Sequence, residues 1–195
     1  MARAARLRVL VPVALVAVAT ACGPTTATTS APTASVVPRA DCLAPEVLDQ
    51  LGLTLDPSLA VKASQPVESL AGTVPDGFVP TSVLVCQVGG QMRDSAGTWT
   101  AVTATSREGS AADTAALAAA IAADEHTGPP PAPSSCGPDD RPAVLWLLDA
   151  VDRAVRPALA TDGCGAPDAA VRAALDRLPV TGVVDHPVQL VSPAR

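Results

Sequence analysis

The stretch Ala143–Asp149 reads AVLWLLD, a near-continuous apolar run in a chain of 195 residues. Such a run is typical of a central β-strand that is covered on both faces. A second strand, Ala154–Ala160, follows after a turn, and its internal proline favours a position near the sheet edge. Residues Pro167–Leu178 then carry apolar side chains one helical turn apart, which predicts a helix. Residues 143–178 therefore predict a strand–strand–helix unit.

The same order of elements occurs earlier in the chain. Ser82–Val88 (SVLVCQV) and Thr98–Ser106 have the composition of strands, and Ser110–Asp124 is an alanine-rich helical segment that begins with a capping pattern. Two successive strand–strand–helix units predict an α+β fold, with a small antiparallel sheet of about four strands and helices on one face. A short helix is expected at 44–51, and the tail at 180–191 is a candidate for one more strand.

The N-terminus has the layout of an export signal. Arg3, Arg6 and Arg8 precede the uncharged apolar run Val9–Ala21, which is shorter than the roughly 20 residues of a membrane-spanning helix. Small residues then lead to Cys22. This pattern resembles the lipobox of bacterial lipoproteins. The resemblance implies cleavage before Cys22, lipid attachment to Cys22, and a place on the extracytoplasmic face of the cell membrane.

Three segments follow from this interpretation: a signal peptide at 1–21, a lipid-anchored linker rich in Thr, Ser, Pro and Ala at 22–39, and a single globular domain at 40–195. The linker segment carries almost no charge and too few large apolar residues to form a core. Two alternatives remain open for the N-terminus. One is ordinary secretion with cleavage after Ala19-Thr20-Ala21, and the other is an uncleaved anchor.

The five cysteines divide into one and four. With Cys22 assigned to lipid, an even number remains in an exported chain, which predicts two disulfides. Four cysteines allow three connectivities. A hairpin turn near Val151 and Asp152 would bring Cys136 close to Cys164, which leaves Cys42 to pair with Cys86.

Charge and aromatic content exclude some classes of partner. After residue 21 the chain has ten basic and nineteen acidic residues, and it contains no Lys/Arg cluster. Such a chain is expected to repel nucleic acid and anionic lipid headgroups. Phe78, Trp99 and Trp146 are the only aromatic residues, too few for a carbohydrate-stacking surface, and both tryptophans are predicted to be core residues.

Several polar motifs invite a chemical interpretation, and none has the spacing that the chemistry requires. Asp124-Glu125-His126 has no second histidine one turn away, so a solvated helix end is favoured over a metal site. Asp139, Asp140, Asp149 and Asp152 match no calcium loop. His186 beside Asp185 has the elements of a base and its orienting carboxylate, but no nucleophile motif accompanies it. We therefore predict no catalytic, cofactor or metal site.

Two further motifs are interpreted as turns. Asp162-Gly163-Cys164-Gly165 lacks the C-x-x-C spacing of a redox site, which favours a turn with a structural disulfide. Leu178-Pro179-Val180-Thr181-Gly182 resembles the LPxTG signal of sortase substrates. Neither the apolar span nor the basic tail of that signal follows it, so a helix end with a turn is expected.

The sequence favours a non-catalytic, membrane-anchored lipoprotein of the cell envelope that binds an envelope protein or a small ligand. It predicts no cofactor and no nucleic-acid partner. Two alternatives remain open. One is a tethered hydrolase that uses His126 or His186, and the other is an inhibitor or accessory subunit that presents the Pro-rich loop at 128–135.

Overall fold

The computed structural model of the protein describes residues 31–60, 68–124, 136–137 and 141–194. The elements, in chain order, are β1 (Val36–Val37), α1 (Pro45–Gln50), α2 (Pro57–Ala60), β2 (Ser82–Arg93), β3 (Gly97–Glu108), α3 (Ala111–Asp124), β4 (Ala143–Leu148), β5 (Ala154–Val155), α4 (Ala169–Leu175) and β6 (Val180–Pro193). The units β2–β3–α3 and β4–β5–α4 have the predicted order. Within the described ranges no helix combines the length and hydropathy needed to cross a bilayer.

The strands form one antiparallel sheet with the order β1-β5-β4-β2-β3-β6. The prediction of about four strands was wrong, because the described part of the sheet has six. The two extra strands lie at the two edges, and β6 is the additional strand for which the tail at 180–191 was a candidate. β6 runs along the whole of β3, whereas β1 contributes only Val36 and Val37 opposite β5. A two-residue strand has no alternating pattern that a sequence can reveal.

One face of the sheet, here called the helical face, packs against α3 and α4. Odd-numbered residues of β2 and β4 point to this side, because successive strand residues alternate between faces. The core on this face contains side chains from the strands and from both helices. They are Val83, Val85, Leu145 and Leu147 from the strands, Leu117 and Ile121 from α3, and Val171 and Leu175 from α4. All eight side chains are buried.

The opposite face, here called the N-terminal face, packs against α1. Cys86, Val102 and Trp146 of the sheet lie in one core with Val47 and Leu48 of the helix. The prediction of helices on one face only was therefore wrong. Helices lie on both faces because consecutive residues of β4, from Ala143 to Leu147, are all buried. A strand with this pattern must be covered on both faces of the sheet. Both tryptophans are core residues as predicted, with Trp146 only 1% exposed.

Both predicted disulfides are present. Cys42 pairs with Cys86 at a Cα–Cα distance of 5.5 Å, and Cys136 pairs with Cys164 at 5.6 Å. Cys86 lies in the middle of β2, and Cys42 comes just before α1. The first disulfide therefore ties α1 to the central strands beneath it.

Packed structure begins before the predicted start of the domain at residue 40. Ala34 and Val37 are buried in the two cores, and the Ala34 N–H donates to the Thr73 carbonyl at 2.8 Å. Gly72 lies between this segment and β5. A side chain at Gly72 would collide with the Pro32 backbone, so only glycine allows the chains to approach so closely.

Candidate functional site

A cleft of about 340 Å³ opens on the helical face, between the sheet and α4. Its floor comes from three neighbouring strands, β4, β2 and β3. Its wall comes from α4 and the segments that precede β4 and α4. The lining residues are Val85, Gln87, Thr105, Arg107, Arg141, Ala143, Ala166, Pro167, Arg172, Leu175 and Asp176.

Strand register brings the floor residues together. Val85 of β2 lies opposite Thr105 of β3, and Gln87 lies opposite Ala143 of β4. These residues share the helical face because their positions differ by even numbers along each strand. The small side chains of Thr105 and Ala143 leave space above the sheet where larger residues would fill it.

Local hydrogen bonds fix the wall of the cleft. The Asp162 carboxylate accepts the N–H groups of Cys164 at 2.9 Å and Ala166 at 3.0 Å, and Gly165 has a φ of 81°. This confirms the predicted turn with a structural disulfide. Asp168 then caps α4 by accepting the Ala170 N–H at 2.7 Å. The helix therefore starts at a defined point beside the cleft.

The charge of the cleft is opposite to that of the chain. Its lining has three arginines and one aspartate, whereas the chain as a whole has a net charge of −6. Arg107, Arg141 and Arg172 are three of the eight arginines in the described residues. A cleft with one sign of charge and apolar walls concentrates the electrostatic potential. The described lining therefore carries a net positive formal charge.

The end of α4 holds Arg107 in position. Arg107 Nη1 donates to the carbonyls of Leu175 at 2.8 Å and Leu178 at 3.2 Å. Carbonyls at the C-terminal end of a helix have no hydrogen-bond partner within the helix and can accept from such a side chain. Asp176 Oδ1 lies 3.9 Å from the same nitrogen, and its side chain is 78% exposed. Arg141 and Arg172 also make interactions of their own. Since an arginine has five N–H donors, the two hydrogen bonds that Arg107 makes through Nη1 do not use all the donors of that side chain.

The described lining of the cleft supplies hydrogen-bonding groups and an apolar floor. In the described part of the chain, the cleft has no histidine, cysteine or serine, and Thr105 supplies its single hydroxyl. It also lacks an aromatic side chain on which a ring could stack. The groups present are hydrogen-bond donors, a side-chain amide and an apolar floor, which together suit recognition of a small polar molecule.

The structure separates His186 from Asp185. Asp185 lies opposite Thr103 and accepts a hydrogen bond from its hydroxyl at 2.5 Å, whereas His186 lies opposite Val102, which packs in the core on the N-terminal face. Consecutive residues of a strand point to opposite faces. This aspartate therefore does not orient the adjacent imidazole as a catalytic pair requires.

Asp149 serves the β4–β5 turn. Its Oδ1 accepts the N–H groups of Val151 and Arg153, both at 3.0 Å, and its Oδ2 accepts from the Arg153 guanidinium at 2.7 Å. Burial raises the pKa of Asp149, but these hydrogen bonds lower it more, so the pKa lies below its ordinary value. Across the described ranges, no group of acidic, histidine or cysteine residues is arranged to hold a metal ion.

Several residues that the sequence singled out, as an expected site or only as an alternative, lie outside the described residues. They are the lipidation residue Cys22, the residues Glu125 and His126, the loop at 128–135, and Asp139 and Asp140. The side chain of Asp124 is also outside the description. The LPxTG-like motif is described: Leu178 is buried, and Val180 to Gly182 begin β6.

A polar cluster away from the cleft connects Glu46 of α1, through Ser69, to Arg156, the residue that follows β5. Its hydrogen bonds hold parts of the fold together. Arg156 is 7% exposed, and its Nη2 donates to the Ser69 carbonyl at 2.6 Å. The Ser69 hydroxyl and N–H both donate to Glu46, at 2.6 and 2.8 Å. Burial raises the pKa of Glu46, but these bonds and the Arg156 charge bring it below its ordinary value. The cluster links α1 and the segment around Ser69 to the chain that follows β5.

Sequence reasoning did not find the arginine cleft. Arg107, Arg141 and Arg172 are each more than thirty residues from the next and form no cluster in the sequence. The only local signal was the spacing of Arg172 and Leu175, which places them on the same side of a helix. In comparisons of the chain with protein-family models, curated proteins and solved structures, nothing matches.

Proposed function

We propose that the protein is a lipid-anchored, non-catalytic binding protein of the cell envelope, and that its domain holds a small ligand in the arginine-lined cleft. The observation that carries the binding function is the convergence of three arginines, from β3, the segment before β4, and α4, on one cleft of about 340 Å³. This volume lies at the lower end of the range for small-molecule sites, roughly 300–1,000 Å³.

The N-terminal pattern supports the anchor. Three arginines, an apolar run of thirteen residues and small residues before Cys22 match the signal of a lipoprotein precursor. A lipid on Cys22 would keep the domain at the membrane while its net negative charge keeps it away from anionic headgroups. The site would then meet ligands on the outer side of the membrane.

The anchor is tested by expressing the full chain in a bacterium that processes lipoproteins. We expect the protein to sediment with membranes and to have the intact mass of residues 22–195 plus acyl chains. The Cys22→Ser variant is the control, and we expect it to leave the membrane fraction without acyl mass. A wild-type protein that is free of lipid would contradict the anchor.

The cleft is tested with the detergent-solubilised full chain and a panel of small neutral, cationic and anionic compounds. At least one compound is expected to stabilise the fold, by about 2.7 kcal/mol at a concentration of 100 times its Kd. For a domain of this size, the shift in Tm is about 5–10 °C. Thr105→Phe fills the cleft floor with a residue suited to strands, and it should abolish the shift.

Thr100→Phe is the matched control for this substitution. Thr100 lies on the same strand and is half-buried like Thr105, but it is not part of the cleft lining. We expect this variant to keep the full ligand-dependent shift. The cleft is excluded as the ligand site if both phenylalanine variants lose the shift equally, or if no compound in the panel binds.

A further inference from the structure

The charge of the cleft constrains what it can bind. Three arginines and one aspartate line the cleft, so the lining has a formal charge of about +2 in a chain whose net charge is −6. Asp176 compensates little, because its side chain is 78% exposed and 3.9 Å from the nearest nitrogen of Arg107. Exposed ion pairs of this kind are weak and are screened by salt. An anionic ligand can therefore compete with Asp176 for the arginine.

Arginine also constrains the shape of the anionic group. A planar guanidinium presents paired N–H donors that match the two oxygens of a carboxylate or phosphate. The end of α4 already holds Arg107 in place through the Leu175 and Leu178 carbonyls. Because that side chain is ordered before binding, less conformational entropy is lost when a ligand arrives.

The remaining lining limits the body of the ligand. Among the lining residues, the apolar ones are small or aliphatic, such as Val85, Ala143 and Leu175. The described lining residues include no aromatic ring to stack on a base or sugar, which disfavours nucleotides. Gln87 and Thr105 supply neutral hydrogen-bonding groups on the floor. The volume of about 340 Å³ admits only a compact molecule.

From these properties we infer that the ligand is a small, non-aromatic oxyanion with carboxylate or phosphate groups, held by Arg107, Arg141 and Arg172. The inference rests on the proposed binding function of the cleft and specifies its ligand class. The arginines supply recognition by charge-assisted hydrogen bonds, and the apolar floor accommodates a short aliphatic body.

The test is calorimetric titration of the detergent-solubilised full chain with succinate, inorganic phosphate and succinamide. Succinamide has the shape of succinate without its charge. We expect succinate, phosphate or both to bind with 1:1 stoichiometry, and succinamide not to bind. The anion that binds with the higher affinity shows whether the cleft prefers a carboxylate or a phosphate group. We expect two separate single variants, Arg172→Gln and Arg141→Gln, each to weaken anion binding about tenfold or more.

Arg177→Gln is the matched control, because it removes the same charge from an exposed arginine outside the cleft lining. Its affinity for the anion is expected to stay within about twofold of the wild type. The inference is overturned if succinamide binds as tightly as succinate, or if Arg177→Gln weakens binding as much as Arg172→Gln.

Failure of the inference and failure of the proposed function give different results. If neither anion binds but a neutral or cationic panel compound binds and Thr105→Phe blocks it, the cleft is a binding site for another class of ligand. If neither the anions nor any compound of the panel binds, the binding function itself is wrong.

Discussion

Replacing both Cys42 and Cys86 with alanine is expected to lower the free energy of unfolding by about 4 kcal/mol. The disulfide closes a loop with a sequence separation of 44 residues, and its loss returns conformational freedom to the unfolded chain. Both half-cystines also lie in the core of the N-terminal face, so the variant loses packing as well. Urea denaturation under non-reducing conditions measures the change.

The double variant Cys136→Ala/Cys164→Ala is the comparison. Its loop separation of 28 residues gives a similar entropic term, about 3.5 kcal/mol, but Cys136 is exposed and contributes no core packing. We therefore expect the Cys42/Cys86 variant to be the less stable of the two. If the Cys42/Cys86 variant loses less than about 1 kcal/mol in its free energy of unfolding, the Cys42–Cys86 disulfide does not constrain the unfolded chain as expected.

The Trp146→Ala variant is expected to lose about 3–5 kcal/mol of stability, the usual range for removing a large aromatic residue from a core. Trp146 is the largest of the fully buried side chains and lies in the middle of the N-terminal face. Its removal leaves a cavity in this core, and the other buried members of the core, such as Val47, Leu48 and Val102, have smaller side chains. Urea denaturation followed by the fluorescence of Trp99 gives the free energy of unfolding.

Trp146→Phe is the matched control. The Trp146 Nε1 is buried and has no hydrogen-bond partner among the described residues. Such an unpaired donor costs about 1–3 kcal/mol, so phenylalanine removes that cost while it keeps most of the volume. We expect the phenylalanine variant to lose much less stability than the alanine variant. Equal losses in the two variants would show that the indole N–H contributes to stability.

The parts of the fold that depend on local pattern were predictable. β2, β3 and β4 each carry a run of strand-forming residues, and α3 begins at a capping sequence and ends before a Pro-rich segment. The disulfide pairing followed from the register of one hairpin. The strands, the helix and the hairpin turn are each determined by residues close together in the chain, where periodicity and turn chemistry are informative.

Features that depend on distant residues could not be predicted in the same way. β1 exists because Val36 and Val37 meet β5, more than a hundred residues later in the chain. The position of α1 on the second face depends on its contact with strands that follow it, which no local period reveals. The apolar run of β4 did indicate that both faces are covered, but it did not indicate by what.

The candidate cleft also depends on residues that are far apart in the chain. Its three arginines come to line one cleft only after β3, β4 and α4 have taken their places around β2. In the sequence they look like isolated surface charges, which single arginines usually are. A net negative charge averaged over the chain also hid a local positive region. Composition therefore describes the chain as a whole, whereas ligand recognition depends on the local field.

The pairing of residues 32–37 with the rest of the domain has a mechanical consequence. Tension applied from the N-terminal side would first load the contacts of Pro32 and Ala34 with Thr73, and then β1 against β5. These few hydrogen bonds can open one after another at small force. The covalent link between Cys42 and Cys86 would then stop the extension before α1 leaves the sheet. The short edge strand can therefore yield under load, with the loss of Ala34 and Val37 from the two cores, while α1 stays on the sheet.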